Sequence, residues 1–417
     1  MNPELRLPAP LTDGPAHDGY DVIIIGGAMI GSSVAWFLTH HLSFDGSVLV
    51  VERDPSYQHS STAHTNSCMR QQFSQPLNVQ ISQFAASFVR DFVDYMADDG
   101  VADPEVPAVH VNHYGYLYLA ADETFAEVLR ANQATQAALG AGTQIWSVAE
   151  LAAEYPFYHL DDIVCASLNL VDEGYFDSGT IFDQFRRKAR LRGVEYTRAE
   201  VVGVERGSGP NADRVTGVRL DSGRVVACGT VVNAAGPRAA SVAAMAGLDL
   251  PVEPRKRYTW VFESAEPLSK DLPLTIDPSG VHVRSEGTAY LTGCAPDPDP
   301  AVDPTDFAMD DEIFEAKVWP ALAHRVPAFE RLKITTKWAG HYAHNRLDRN
   351  VVVGPHPELA NFLFANGFSG HGLQQAPAIG RGVAELIVHG GFQTLDLTPL
   401  GYQRILAGEP FPESAVI

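Results

Sequence analysis

The segment from Asp21 to Gly31 reads Asp-Val-Ile-Ile-Ile-Gly-Gly-Ala-Met-Ile-Gly, and it is followed by the apolar stretch Ser32 to Leu38 and by Val48-Leu-Val-Val-Glu52. An apolar run without polar alternation predicts a strand covered on both faces, here followed by a tight turn, a helix and a second strand ending in an acid. This order suits the pyrophosphate of a dinucleotide: backbone N–H groups and the helix N-terminus face the phosphates, and the acid accepts hydrogen bonds from a ribose. Glu52 stands twenty-one positions beyond Gly31, the spacing that reading requires. A glycine turn made only for strand–helix packing is the alternative. Ala28 occupies the middle glycine position, where a methyl group is tolerated. Glu52 argues against a 2′-phosphate, while Arg53 beside it leaves that variant open. Gly26, Gly27, Ala28, Met29, Ile30, Gly31, Glu52 and Arg53 are thus the first candidate cofactor residues.

The 417 residues, 45% of them hydrophobic, supply enough apolar surface for two domains. Thirty basic against fifty-one acidic residues give a formal charge of −21, which repels phosphate backbones and anionic lipid. Nucleic acid is therefore not an expected partner. No run reaches the roughly eighteen apolar residues of a membrane span, and residues 1–17 resemble neither a signal nor a transit peptide. A cytoplasmic protein without an integral membrane segment is expected, and a homo-oligomer is left open. Cys68, Cys165, Cys228 and Cys294 form no Cys-x-x-Cys pair, and reduced, mostly buried thiols are expected. His341 and His344 could share a metal only on a helix. Their neighbours read as strand and loop, so no metal is expected.

Further along, Gln58 to Phe73 forms a polar loop too long for a mere connection, which suggests function. Apolar spacing predicts helices over about Pro76–Met96, Thr124–Leu139, Ala239–Ala246 and Ala376–Val388. His113 to Leu119 alternates like a strand, and a second β-rich excursion opens at Pro254. The fold class expected is α/β: a Rossmann-like dinucleotide-binding domain (18–105, 161–250 and 339–400) interleaved with a mainly antiparallel β (α+β) domain (106–160 and 251–338). Residues 1–17 and 401–417 are read as terminal extensions.

The glycine turn with Glu52, the strand ending Asn233-Ala-Ala-Gly-Pro237 and the turn Gly367-Phe-Ser-Gly-His-Gly372 occur in one order over most of the chain. Together they resemble the D-amino-acid oxidase superfamily of FAD-dependent oxidoreductases, in the branch of sarcosine and glycine oxidases. Arg70-Gln-Gln-Phe-Ser74, Pro251 to Tyr258, Lys317-Val-Trp-Pro320, Val353 to Pro357 and Gly370 to Pro377 narrow the likeness to the FAD-dependent oxidoreductase domain-containing protein 1 group. The resemblance implies FAD rather than NAD. It further implies that Ser61 and Thr62 hold phosphate oxygens, that Val202 meets adenine through its backbone, and that Ala235 and Gly236 pass beneath the cofactor. Gly370, His371, Gly372, Leu373 and Gln374 would lie along the flavin ring. The covalent anchor cysteine of sarcosine oxidase has no counterpart around Gly340–His344, which implies noncovalent FAD.

The implied chemistry moves a hydride from the α-carbon of a small secondary or N-alkylated amino acid to flavin N5, and the imine then hydrolyses. The protein must hold the donor carbon in place and pin the carboxylate. Arg70 stands where sarcosine oxidase binds that carboxylate, and a guanidinium fork suits it; a structural ion pair is the alternative. Gln374 replaces a lysine of that enzyme. His344 and Tyr258 complete the candidate catalytic set, with His113, Tyr342 and Arg257 as further polar groups. A lysine that helps sarcosine oxidase use oxygen is replaced near Ala289–Leu291, so a dehydrogenase passing electrons to another acceptor is expected. Two alternatives remain: an assembly or scaffold protein that retains FAD, as the likeness to a complex I assembly factor allows, and a 2-hydroxy-acid dehydrogenase.

Overall fold

The apolar segment near the amino terminus becomes the central strand β1 (Gly19–Ile25), followed by helix α1 (Met29–Trp36) and strand β2 (Val48–Glu52) in a computed structural model that describes residues 8–98 and 100–414. β1 pairs in parallel with β2 on one side and with Val225–Asn233 on the other. Glu195–Arg198 adds in parallel beyond β2, and Leu359–Asn366 beside Val225–Asn233. Antiparallel strands Val201–Arg206, Val215–Leu220 and Val352–His356 complete eight strands. Both faces of β1 are covered, which accounts for its unbroken apolar run: Val22 and Ile24 pack with Val34 and Trp36, and Ile23 and Ile25 with Val231 and Val242.

The two excursions combine into one second sheet. Tyr116–Ala120 pairs in parallel with Leu274–Ile276 and antiparallel with Cys165–Asn169, which also pairs with Gln144–Ser147. On the other side the order continues through His282–Glu286, Ala289–Cys294, Val252–Ser264 and Leu332–Asn345. The first excursion therefore continues through Asn169 rather than closing at 160, and the second runs past 338 to Asn345. These strands carry no local mark of which sheet they join; pairing with distant partners decides it. A small third sheet joins Cys68–Met69, Gly174–Phe176 and Val111–Asn112, tying the Arg70 loop to both layers.

Helix boundaries shift for identifiable reasons. The helix expected over Pro76–Met96 runs Pro76–Arg90, breaks at Asp91 and resumes over Phe92–Tyr95. The helix expected from Ala376 begins at Gly372 and reaches His389, with Pro377 inside it past the first turn, where its missing N–H removes one helical hydrogen bond. This helix packs on α1 so closely that Ser33 Oγ donates to the Ala376 carbonyl (2.7 Å), and Gly380 leaves room for Ser33. Thr12 exchanges backbone hydrogen bonds with Tyr196 and Arg198, so the described part of the first extension lies along the sheet. Residues 1–7 and 415–417 of the expected extensions lie outside the described residues. The cysteines are free, with Cys165 and Cys294 buried and Cys68 and Cys228 half-buried. Among the described residues no helix is long and apolar enough to cross a membrane.

Candidate active site

A cleft of about 2280 Å³, its open mouth included, runs along the carboxyl ends of the parallel strands. Its walls are the residues that end or follow those strands: Ile25 and Gly26, Glu52 and Arg53, Ala199 and Glu200, Ala234 and Ala235. This is where open α/β sheets bind ligands. Gly26 has φ +99°, and a Cβ there would run into the Ala234 carbonyl. Gly31 does not line the cleft; it lets α1 begin against the Gly26 carbonyl, which a Cβ would strike. Gly27 also lies behind the wall, and its N–H donates to Glu52 Oε2 (2.9 Å). Asp54 N–H donates to Oε1 (2.8 Å). Burial pushes the Glu52 carboxyl above its ordinary range, and these two N–H bonds oppose that shift.

Ala28, Met29 and Ile30 face the cleft at the start of α1. Ala28 offers no side-chain cap, and the Met29 N–H instead donates to Thr62 Oγ1 (3.2 Å). Ser61 Oγ donates to the His341 carbonyl (2.6 Å), binding the polar loop to the second sheet. Arg53, Ser61, Thr62, Ala235 and Gly236 all line the cleft. Val202 does not: strand alternation turns it outward, 48% exposed, while Ala199, Glu200 and Val201 form the wall.

The other end of the cleft is built by the loop carrying Arg70 and by the turn Gly370–Gln374, all of whose residues line it. Arg70 is 2% exposed. Its N–H donates to Gln374 Oε1 (2.8 Å), its Nη2 to His371 Nε2 (2.7 Å) and its Nη1 to the Tyr118 hydroxyl. Burial, with the Arg70 charge beside it, holds His371 well below the ordinary histidine range, so it is neutral and accepts. Gly370 has φ +100° and abuts the Tyr342 ring. Tyr342 in turn lies under the Arg257 guanidinium (4.6 Å), which Asp299 holds through both oxygens (2.9 Å each).

Tyr258 reaches the cleft, as do Arg257 and Tyr342. His344 does not; it is buried one residue past the wall formed by His341, Tyr342 and Ala343, and burial draws its pKa down to about 4. His113 is exposed and away from the cleft. The structure adds Tyr116 and His282, which sequence reasoning missed. Tyr116 shares a face with Tyr118, a sign the alternating Tyr-Leu-Tyr already carried. His282 accepts from Asn66 Nδ2 (2.9 Å), a partner 216 positions away that no local pattern signals. Burial lowers its pKa to about 4, so it is neutral.

The cleft fits an extended dinucleotide: a side-chain-free glycine approach, an acid with free acceptor capacity beside it, and polar groups gathered at the far end. Residues 21–386 match the family model described as FAD dependent oxidoreductase (DAO). FAD-dependent oxidoreductase domain-containing protein 1 of Xenopus laevis is 39% identical over 95% of this chain and 85% of that protein. Human mitochondrial sarcosine dehydrogenase is 25% identical over 90% of this chain and 40% of that protein. Among solved structures, L-proline dehydrogenase from P. horikoshii matches with a TM-score of 0.80 and 25% identity, covering 94% of this chain and 99% of that one. Glycine oxidase from Geobacillus kaustophilus has the same fold, with a TM-score of 0.75 and 21% identity over 92% of this chain and 98% of that one. The glycine turn, the Asn233–Pro237 strand end and the Gly367–Gly372 turn meet along one cleft in a chain that belongs to the DAO family of FAD-dependent oxidoreductases.

Proposed function

We propose that the protein is an FAD-dependent dehydrogenase of small secondary or N-alkylated amino acids, with its FAD held noncovalently. The observation that carries this reading is the convergence of Arg70, His371 and Gln374 at one end of the cleft. Bound FAD supplies a hydride acceptor at flavin N5. Arg70 presents the cation that pins a substrate carboxylate, and Gln374 fixes the backbone from which Arg70 projects. The carboxylates of the cleft wall, Glu52, Asp54 and Glu200, all sit by the strand ends, away from Arg70. A substrate amine at the Arg70 end instead meets Tyr116, Tyr258, Tyr342 and neutral His282. Burial there without a counter-ion favours the neutral amine, the form that can release hydride.

Cys68 is the cysteine of the wall, and burial lifts its thiol pKa to about 11, so it stays protonated. Residues 340–344 contain no cysteine to attach flavin. Residues Ala289–Leu291 contain no lysine that would help the flavin use oxygen, which supports an electron acceptor other than oxygen. Arg70→Ala should weaken carboxylate substrates about a hundredfold in steady-state KM, and Arg70→Lys should recover part of that loss, since a lysine cannot bind both oxygens. An unchanged KM in Arg70→Ala would remove Arg70 from this role.

A further inference from the structure

Glu173 is fully buried and lies outside the cleft wall, yet three donors converge on its carboxylate. Gln71 N–H (2.5 Å) and Asn169 Nδ2 (2.8 Å) donate to Oε1, and Gln72 Nε2 donates to Oε2 (2.9 Å). Gln72 is fixed in turn, because its Nε2 also donates to the Tyr116 carbonyl (2.8 Å) and its Oε1 accepts from Ser167 Oγ (2.7 Å). The main chain is thereby gripped on both sides of the Arg70 side chain: at its own N–H by Gln374 and at the next N–H by Glu173.

Neutral oxygens could have satisfied these donors, and a buried carboxylate is costly without compensating charge. Both oxygens of Glu173 accept from N–H donors, so an amide here would turn its own NH2 group against one of them, and the Arg70 guanidinium adds a smaller pull toward the ionised carboxylate. Burial raises the Glu173 carboxyl to about 7, against the pull of its three donors and Arg70. The charged and titratable groups around it are Arg70 from the loop, Tyr116 from the adjoining strand and, across Arg70, neutral His371.

We propose that Glu173 is a positioning residue for substrate binding, which fixes the Arg70–Gln72 backbone and balances the Arg70 charge so that the guanidinium meets a carboxylate in one orientation. This rests on reading Arg70 as the carboxylate clamp. Such pre-organisation acts on affinity through Arg70 and touches no reacting atom.

The test titrates pyrrole-2-carboxylate, which has no amine that ionises near neutral pH, into the FAD-loaded protein while flavin absorbance is followed. Glu173→Gln should raise the Kd about tenfold with flavin content unchanged, and Glu173→Asp should recover part of the loss. Wild-type affinity should fall as pH drops from 8 to 6, and Glu173→Gln should abolish that dependence. In an Arg70→Ala background, Glu173→Gln should have no further effect. A Glu173→Gln protein with wild-type affinity and pH profile, alongside a weakened Arg70→Ala, would overturn the role of Glu173 alone. Wild-type affinity in Arg70→Ala, or no binding by the wild type, would overturn the clamp and this inference together. Should Glu173→Gln fail to fold, wild-type affinity in Glu173→Asp, whose shorter side chain cannot hold the same three donors, overturns the inference.

Discussion

Gly370 is the residue on which the turn at the Arg70 end of the cleft depends most directly. Its φ of +100° and the Tyr342 ring beside its missing Cβ leave no place for a methyl group. Gly370→Ala should cost about 1–3 kcal/mol in urea unfolding and lower FAD retention; unchanged stability and retention would contradict the geometry. Glu173 makes a prediction of opposite character. An ordinary glutamate loses its proton near 4.5, whereas folded Glu173 keeps its proton up to about 7. Between those values the folded state binds more protons than the unfolded chain, so this group's contribution to stability falls as pH rises from 4.5 to 7. Unfolding of Glu173→Gln at pH 5 and pH 7.5 should show that part of the slope removed, and an unchanged slope would contradict it. At this scale the placing of Glu52 at the cleft could be read from its spacing after the glycine turn, and that of Arg70 and Gly370 from the motifs that carry the family resemblance. Val202, expected to act through its backbone, and His344 do not line the cleft, because one step along a strand changes what a side chain faces. Glu173 was invisible because each of its side-chain partners lies apart from it in sequence or gives no pattern of its own.

Among the elements, the helix Pro76–Arg90 shows how the far end of the chain supports the site. Its N-cap Gln75 makes no side-chain cap. Glu413 takes that place: its carboxylate accepts Ser74 N–H (2.9 Å), Gln75 N–H (3.3 Å), Ser74 Oγ (2.7 Å) and Asn78 Nδ2 (2.9 Å). A carboxylate at the positive end of a helix is stabilising, and here it also anchors the segment that follows Arg70. Glu413→Ala should lower stability by about 2–3 kcal/mol, because it also strands buried Asn78. Its effect is checked by urea midpoint and by hydrogen exchange at residues 74–79; unchanged exchange there would remove the cap. Periodicity located this helix and the one ending at His389, but not their limits. Asp91 interrupts the first, and Pro377 sits inside the second instead of opening it.

On the scale of the molecule, the interleaving of two sheets was legible from the alternation of apolar strands, helices and β-rich excursions. Which sheet takes Cys165–Asn169 was not, because pairing is settled by partners some fifty residues away in Tyr116–Ala120. The carboxyl-terminal segment is likewise integral. Buried Asp348 accepts Arg404 Nε (2.7 Å), Asn345 Nδ2 (2.8 Å) and Phe411 N–H (3.0 Å), joining the end of the second sheet's last strand to the final helix. Asp348→Ala leaves Arg404 buried without its carboxylate and should cost about 3–5 kcal/mol in chemical unfolding; a loss under about 1 kcal/mol would show that this tie is not structural. The central claim concerns what the assembled cleft does: it holds FAD and takes hydride from an amino acid pinned by Arg70. Anaerobic mixing of the FAD-loaded protein with matched panels of secondary or N-methylated amino acids and 2-hydroxy acids tests it. The account predicts bleaching of the flavin absorbance by at least one amino acid and by no hydroxy acid; no bleaching by any amino acid, or bleaching by hydroxy acids alone, would contradict it.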